Sequence, residues 1–101
     1  MSILCADKES QVVECIENSE FVVLKISAQW CKPCRELGPV FNSFTSEYPR
    51  VKFVMVDVDT LPSYGKAYKL PTTLFYVRGE KEDWVVGNRP DEIRKMLINL
   101  K

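Results

Sequence analysis

The chain has 101 residues, 46% of them hydrophobic and 28% charged, which suits one compact domain spanning residues 1–101 with a single core. Lys and Arg total 14, as do Asp and Glu, and the zero formal net charge argues against a nucleic-acid binder or a basic membrane-surface protein. With no His in the chain, imidazole is excluded as base, proton shuttle or metal ligand.

In chain order, Ser2–Ala6 reads as a short strand. Asp7 is placed to N-cap a helix running to about Asn18, with Val12, Cys15, Ile16 and Ser19 at helical spacing. Phe21–Ile26 is apolar on both faces, as a central strand must be. After Trp30-Cys31-Lys32-Pro33-Cys34, a helix is expected from Cys34 to Tyr48, with Leu37, Val40, Phe41, Phe44 and Tyr48 inward and a kink at Pro39. Val51–Val58 reads as a second buried strand and Leu61–Tyr68 as a short helix. Thr72–Val77 and Glu82–Val86 read as strands joined through the turn Arg78-Gly79-Glu80-Lys81, where Gly tolerates a positive φ. Asp91–Leu100 closes the chain as a helix with Ile93, Met96, Leu97 and Leu100 inward and Pro90 in its first turn. The order βαβαβαββα implies an α/β fold: a mixed sheet of about five strands, parallel in its first half with right-handed crossovers, ending in an antiparallel hairpin and flanked by four helices.

Met1–Ser10 has no long apolar core and carries Asp7 and Glu9, so no signal peptide is expected. No stretch approaches the roughly 20 apolar residues of a membrane span. The expected compartment is the cytosol, where structural disulfides are rare. Cys5 and Cys15 are accordingly read as reduced, small apolar fillers, with Cys15 partly buried on a helix.

Cys31 and Cys34 are different, because they follow a buried strand and open a helix. Free N–H groups and the positive end of the helix dipole favour a thiolate at Cys31, and the thiolate is the nucleophilic form. Cys34, one turn on, is placed to close a disulfide with it. The pair reads as a reversible dithiol–disulfide couple. Zinc or iron–sulfur binding is disfavoured, since Cys5 and Cys15 lack the spacing of a second CxxC knuckle, and no metal is expected.

The arrangement resembles thioredoxin over nearly the whole chain. Trp30-Cys31-Lys32-Pro33-Cys34 is similar to the family's Trp-Cys-Gly-Pro-Cys, Pro39 to its helix-kinking proline, and Val56-Asp57-Val58-Asp59 to the end of its third strand. Leu70-Pro71-Thr72 resembles its cis-proline loop, and Gly79 and Gly87 match glycines flanking its last strand. The resemblance implies a thioredoxin fold and a protein-disulfide reductase. Cys31 would attack a substrate disulfide, and Cys34 would resolve the mixed disulfide. Pro71 would be cis, beside the cysteines, leaving the Leu70 backbone to pair with an extended substrate. Trp30, Pro33, Leu70, Val86 and Gly87 would form an apolar rim. Electrons would come from a separate NADPH-dependent reductase, since the chain has no Gly-rich dinucleotide fingerprint and no cofactor of its own is expected. The expected partners are protein disulfides, met by a monomer.

Two residues depart from the pattern. Lys32 replaces a Gly and puts a cation beside Cys31, either to attract acidic partners or as a solvated charge of little consequence. Lys25 stands in the middle of the buried strand, where the family has a buried Asp. It is read three ways: neutral through desolvation, paired with Asp57, or extended toward the motif and solvent. A charged Lys25 would stabilise thiolates and make the couple more oxidising; a neutral one could accept a proton from Cys34. Two alternatives to a general reductase follow, a more oxidising oxidase or isomerase and a redox-switched interaction module.

Overall fold

The structure, a computed structural model, describes residues 3–100. It contains β1 (Leu4–Ala6), α1 (Glu9–Asn18), β2 (Phe21–Ser27), α2 (Lys32–Glu47), β3 (Lys52–Asp57), α3 (Pro62–Ala67), β4 (Thr72–Val77), β5 (Glu80–Val86) and α4 (Pro90–Asn99). The five strands form one sheet in the order β1-β3-β2-β4-β5. β3 pairs in parallel with β1 and β2, while β4 runs antiparallel to both β2 and β5. This is the expected βαβαβαββα order, and β2, buried along its whole length, is the central strand.

The period-two alternation of β2 divides the core. Phe21 and Val23 face one side, where Leu37, Phe41 and Phe44 of α2 and Ile93 and Leu97 of α4 cover them. Val22, Leu24 and Ile26 face the other, packed with Val12 of α1 and Leu61 beside α3. Phe41 packs edge-on against Phe53 of β3, ring centroids 5.5 Å apart. An Arg94–Glu47 ion pair ties α4 to α2, with the Arg94 guanidinium 5.0 Å from the centre of the Phe44 ring.

Several boundaries differ from the sequence expectation. Asp7 does not cap α1. Lys8 holds the cap position, and the Gln11 side chain reaches back so that its Oε1 accepts the N–H of Asp7 at 2.8 Å and of Lys8 at 3.3 Å. Ser2 lies outside the described residues. The final hairpin is tighter than a four-residue turn: β5 begins at Glu80, leaving Arg78 and Gly79 as the connection, both at positive φ (50° and 86°). Two left-handed residues give the turn a twist that matches its strands. The Arg78 N–H donates to the Glu20 carbonyl at 2.7 Å, and its side chain pairs with Glu20 at 2.9 Å, so tertiary contacts hold a non-Gly residue in that conformation. Cys5 is not a core filler; it is exposed on edge strand β1, whereas Cys15 is half-buried as expected, and both are free thiols.

Phe41 is fully buried and touches both the sheet and the helix that opens with the cysteines. Phe41→Ala is expected to lower stability by about 3–5 kcal/mol, read from urea unfolding midpoints at unchanged slope.

Candidate active site

The ends of three strands meet at one edge of the sheet. Ile26, near the end of β2, is paired with Val56 of β3 and with Thr72 at the start of β4. Thr72 is paired in turn with Val86 at the end of β5. The chain leaving β2 therefore carries Trp30–Cys34 to the same place as Leu70-Pro71 and Val86-Gly87. The Leu70–Pro71 bond is cis, and the Gly87 N–H, at φ 99°, donates to the Pro71 carbonyl at 2.7 Å. Among the described residues, no backbone group engages the N–H or C=O of Leu70.

Cys31 is the N-cap of α2, with Lys32 and Pro33 opening the first turn. Pro suits that position because its missing N–H has no intrahelical role there. Cys31 and Cys34 form a disulfide with Cα atoms 5.2 Å apart. The Cys34 backbone N–H points at the Cys31 sulfur, 3.3 Å away. An amide donor and the positive helix end thus act on the same sulfur, and both favour its anionic form once the bond is reduced. Cys31 is 8% exposed and Cys34 3%, so Cys31 is the more exposed residue of the two.

Around them, Lys32 and Pro33 are exposed, Leu70 packs half-buried against the cluster holding both cysteines, and Val86 is exposed at the end of β5. Trp30 is 65% exposed, so it is no core residue, yet it is fixed: its Nε1–H donates to the Asp59 carboxylate at 3.1 Å. The sequence reading passed over Asp59, although its motif had been singled out; no local pattern shows that a carboxylate 29 positions on will hold an indole. It also passed over Trp84, 58% exposed on β5 two residues before Val86.

Lys25 is 4% exposed on the face that α2 covers. It is not paired with Asp57: no ion pair to Lys25 occurs among the described residues, although both line a cleft of about 180 Å³ with Cys34, Arg35 and Met55. Its Nζ lies 5.1 Å from the centre of the Phe41 ring. Burial pushes the ammonium below its ordinary value of 10.5, and the nearby Cys5 thiol pulls weakly the other way. The Phe41 face favours the cation only modestly, so loss of water dominates and the shift is downward.

The family model for thioredoxin matches residues 3–99. The chain belongs to the thioredoxin family. A thioredoxin H-type from Oryza sativa subsp. indica is 33% identical, the match covering 95% of this chain and 84% of that protein. One from Picea mariana is 33% identical over 90% of this chain and 75% of that protein. The crystal structure of thioredoxin NaTrxh from Nicotiana alata superposes with a TM-score of 0.89 at 26% identity, covering 98% of this chain and 92% of that one. This member of the thioredoxin family is a disulfide oxidoreductase: relatives, fold and cysteine pair agree on dithiol–disulfide exchange.

Two outcomes follow from this geometry. Asp59→Ala frees the Trp30 ring, and in a Trp84→Phe background the indole fluorescence anisotropy is expected to fall with little loss of stability. Lys25→Met removes a buried, unpaired amine and is expected to raise stability at neutral pH by about 1–3 kcal/mol. Between the lowered native value and 10.5, the unfolded chain binds a proton that the native one does not, so parental stability rises with pH there. The advantage of Lys25→Met should therefore shrink as pH climbs toward 10.5 in denaturation curves.

Proposed function

We propose that the protein reduces disulfides of other proteins with Cys31 as nucleophile and Cys34 as resolving thiol. The observation that carries the assignment is the Cys34 N–H aimed at the Cys31 sulfur on the helix cap. The Cys31 thiolate attacks one sulfur of the substrate disulfide; that bond breaks, and its electron pair leaves on the other substrate sulfur. Cys34 then attacks Cys31, the mixed disulfide breaks, and the second substrate sulfur leaves as a thiolate. The protein ends as the Cys31–Cys34 disulfide, and the substrate has gained two electrons.

The substrate lies across Trp30, Pro33, Leu70, Pro71, Val86 and Gly87, its backbone pairing with the free N–H and C=O of Leu70. Lys32 adds a positive charge beside the attacking sulfur. Backbone pairing and an apolar rim accept many sequences, which supports a general reductase over a narrow one. An NADPH-dependent flavoprotein reductase returns the electrons, as part of an electron-transport chain in the cytosol. Among the described residues, no helix is long and apolar enough to cross a membrane.

Cys34→Ser should hold disulfide substrates on Cys31 as mixed disulfides stable to non-reducing electrophoresis and released by dithiothreitol. Cys31→Ser should trap none. Equal trapping by both variants, or a Cys31 alkylation rate at neutral pH no faster than that of a free amino-acid thiol, would remove Cys31 from the nucleophile's role.

A further inference from the structure

The β4–β5 ladder slips once. Tyr76 pairs with Lys81, but Phe75 pairs with Asp83, so Glu82 is an extra residue in β5. A bulge of this kind re-aims the side chains beyond it. Plain alternation would put Glu82 on the side of Trp84 and Lys81 on the other. With the slip, Lys81, Trp84 and Val86 stand opposite Tyr76, Leu74 and Thr72 and share their face of the sheet. Glu80 and Asp83 stand opposite Val77 and Phe75, on the other face, where Glu82 and Asp83 line a separate cleft with Met96. The bulge thus exchanges a carboxylate for an ammonium beside Trp84.

The face so formed carries a groove of about 270 Å³. Lys81, Trp84 and Val86 line it from β5, Tyr68 and Lys69 from the chain after α3, with Leu74 between. The Lys81 ammonium bridges the two walls: it donates to the Tyr68 hydroxyl at 3.3 Å and lies 5.5 Å from the centre of that ring. Both charged residues of the lining are lysines, and neither has an ion-pair partner among the described residues. Trp84 and Val86 add exposed apolar surface. The groove is continuous with the rim around Cys31, since Val86 belongs to both and Lys69 immediately precedes Leu70-Pro71.

We propose that this groove holds an acidic, aromatic-bearing stretch of the substrate polypeptide next to the disulfide that Cys31 attacks. An apolar side chain lies on Trp84 and Val86, and carboxylates meet Lys69 and Lys81. The proposal rests on the reading of Cys31 as the nucleophile toward protein disulfides, and it adds a preference to a rim that by itself accepts many sequences. From Val86 to Lys81 the ladder advances four steps. At about 3.3 Å per residue that is about 13 Å, so the acidic residues stand about four to six positions from the attacked cysteine.

The test uses short peptides whose single cysteine is blocked as a mixed disulfide with thionitrobenzoate, and reduced protein in a Cys5→Ser, Cys15→Ser background. The Cys31 thiolate bonds to the peptide sulfur, the peptide–thionitrobenzoate bond breaks, and its electron pair leaves on the coloured thiolate, followed by stopped-flow absorbance. One series carries Phe-Asp-Asp about five residues before or after the cysteine, and a matched series carries Phe-Lys-Lys there. The parent is expected to react about 10-fold faster with the better-placed acidic peptide than with its basic counterpart at low salt, and the gap should close as salt rises. Lys69→Glu combined with Lys81→Glu should invert the preference; Lys32 is untouched, so the inversion belongs to the groove. Trp84→Thr should slow the acidic peptide about 5-fold. Hydroxyethyl disulfide, too small to reach the groove, should be reduced by every variant at the parental rate. A parent that treats acidic and basic peptides alike, or a doubly reversed variant that keeps the parental preference, overturns the proposal. So does a parental dimer in sedimentation that Trp84→Thr dissociates, which would give the groove to a second copy of this chain. Loss of thiolate release from every peptide in the parent would instead defeat the assignment of Cys31.

Discussion

The seating of α2 on the central sheet is the constraint on which the site depends. Leu37, Phe41 and Phe44 bury one stripe of the helix against β2 and its neighbours, and that contact fixes where the helix begins. Cys31 caps that beginning, so the position of its sulfur and the direction of the amide aimed at it follow from packing several residues away. A helix that slid or tilted would carry the cap away from the Leu70-Pro71 and Val86-Gly87 segments, which are held by a different set of strand pairings. Reactivity and substrate access are therefore two results of one helix-on-sheet contact.

The same contact encloses Lys25. A strand that is otherwise wholly suited to burial carries one amine, and α2 closes over it with the Phe41 ring rather than a carboxylate. Physical chemistry counts this against stability, since the ammonium loses water and gains little in return. The residue that weakens the fold also lines a cleft with the second cysteine. The protein thus combines a core built for rigidity with one buried amine that has no counter-ion among the described residues.

The rim is built on different terms. Trp30 is largely in solvent, and its orientation comes from one hydrogen bond to Asp59, not from burial. Val86 and Trp84 lie on an edge strand with one free side. Such a surface offers few side-chain polar groups and is held in shape by one hydrogen bond and one strand pairing.

Much of this was legible in the chain itself. The two-faced apolar run of β2, the helical spacing of Leu37, Phe41 and Phe44, the order of elements and the CxxC at a strand-to-helix junction are local patterns, because each is set by the backbone and read within one element or at one junction. Ends of elements were less legible: the Gln11 side chain displaced Asp7 from the cap, and contacts with Glu20 let Arg78 join Gly79 in a two-residue turn. What no reading of neighbours along the chain could supply was the company kept by single side chains. That Asp59 holds Trp30, that Thr73 lies opposite Lys25 with its hydroxyl unmatched, and that Asp57 shares the cleft without pairing were decided by strand register and helix docking, which bring together residues tens of positions apart.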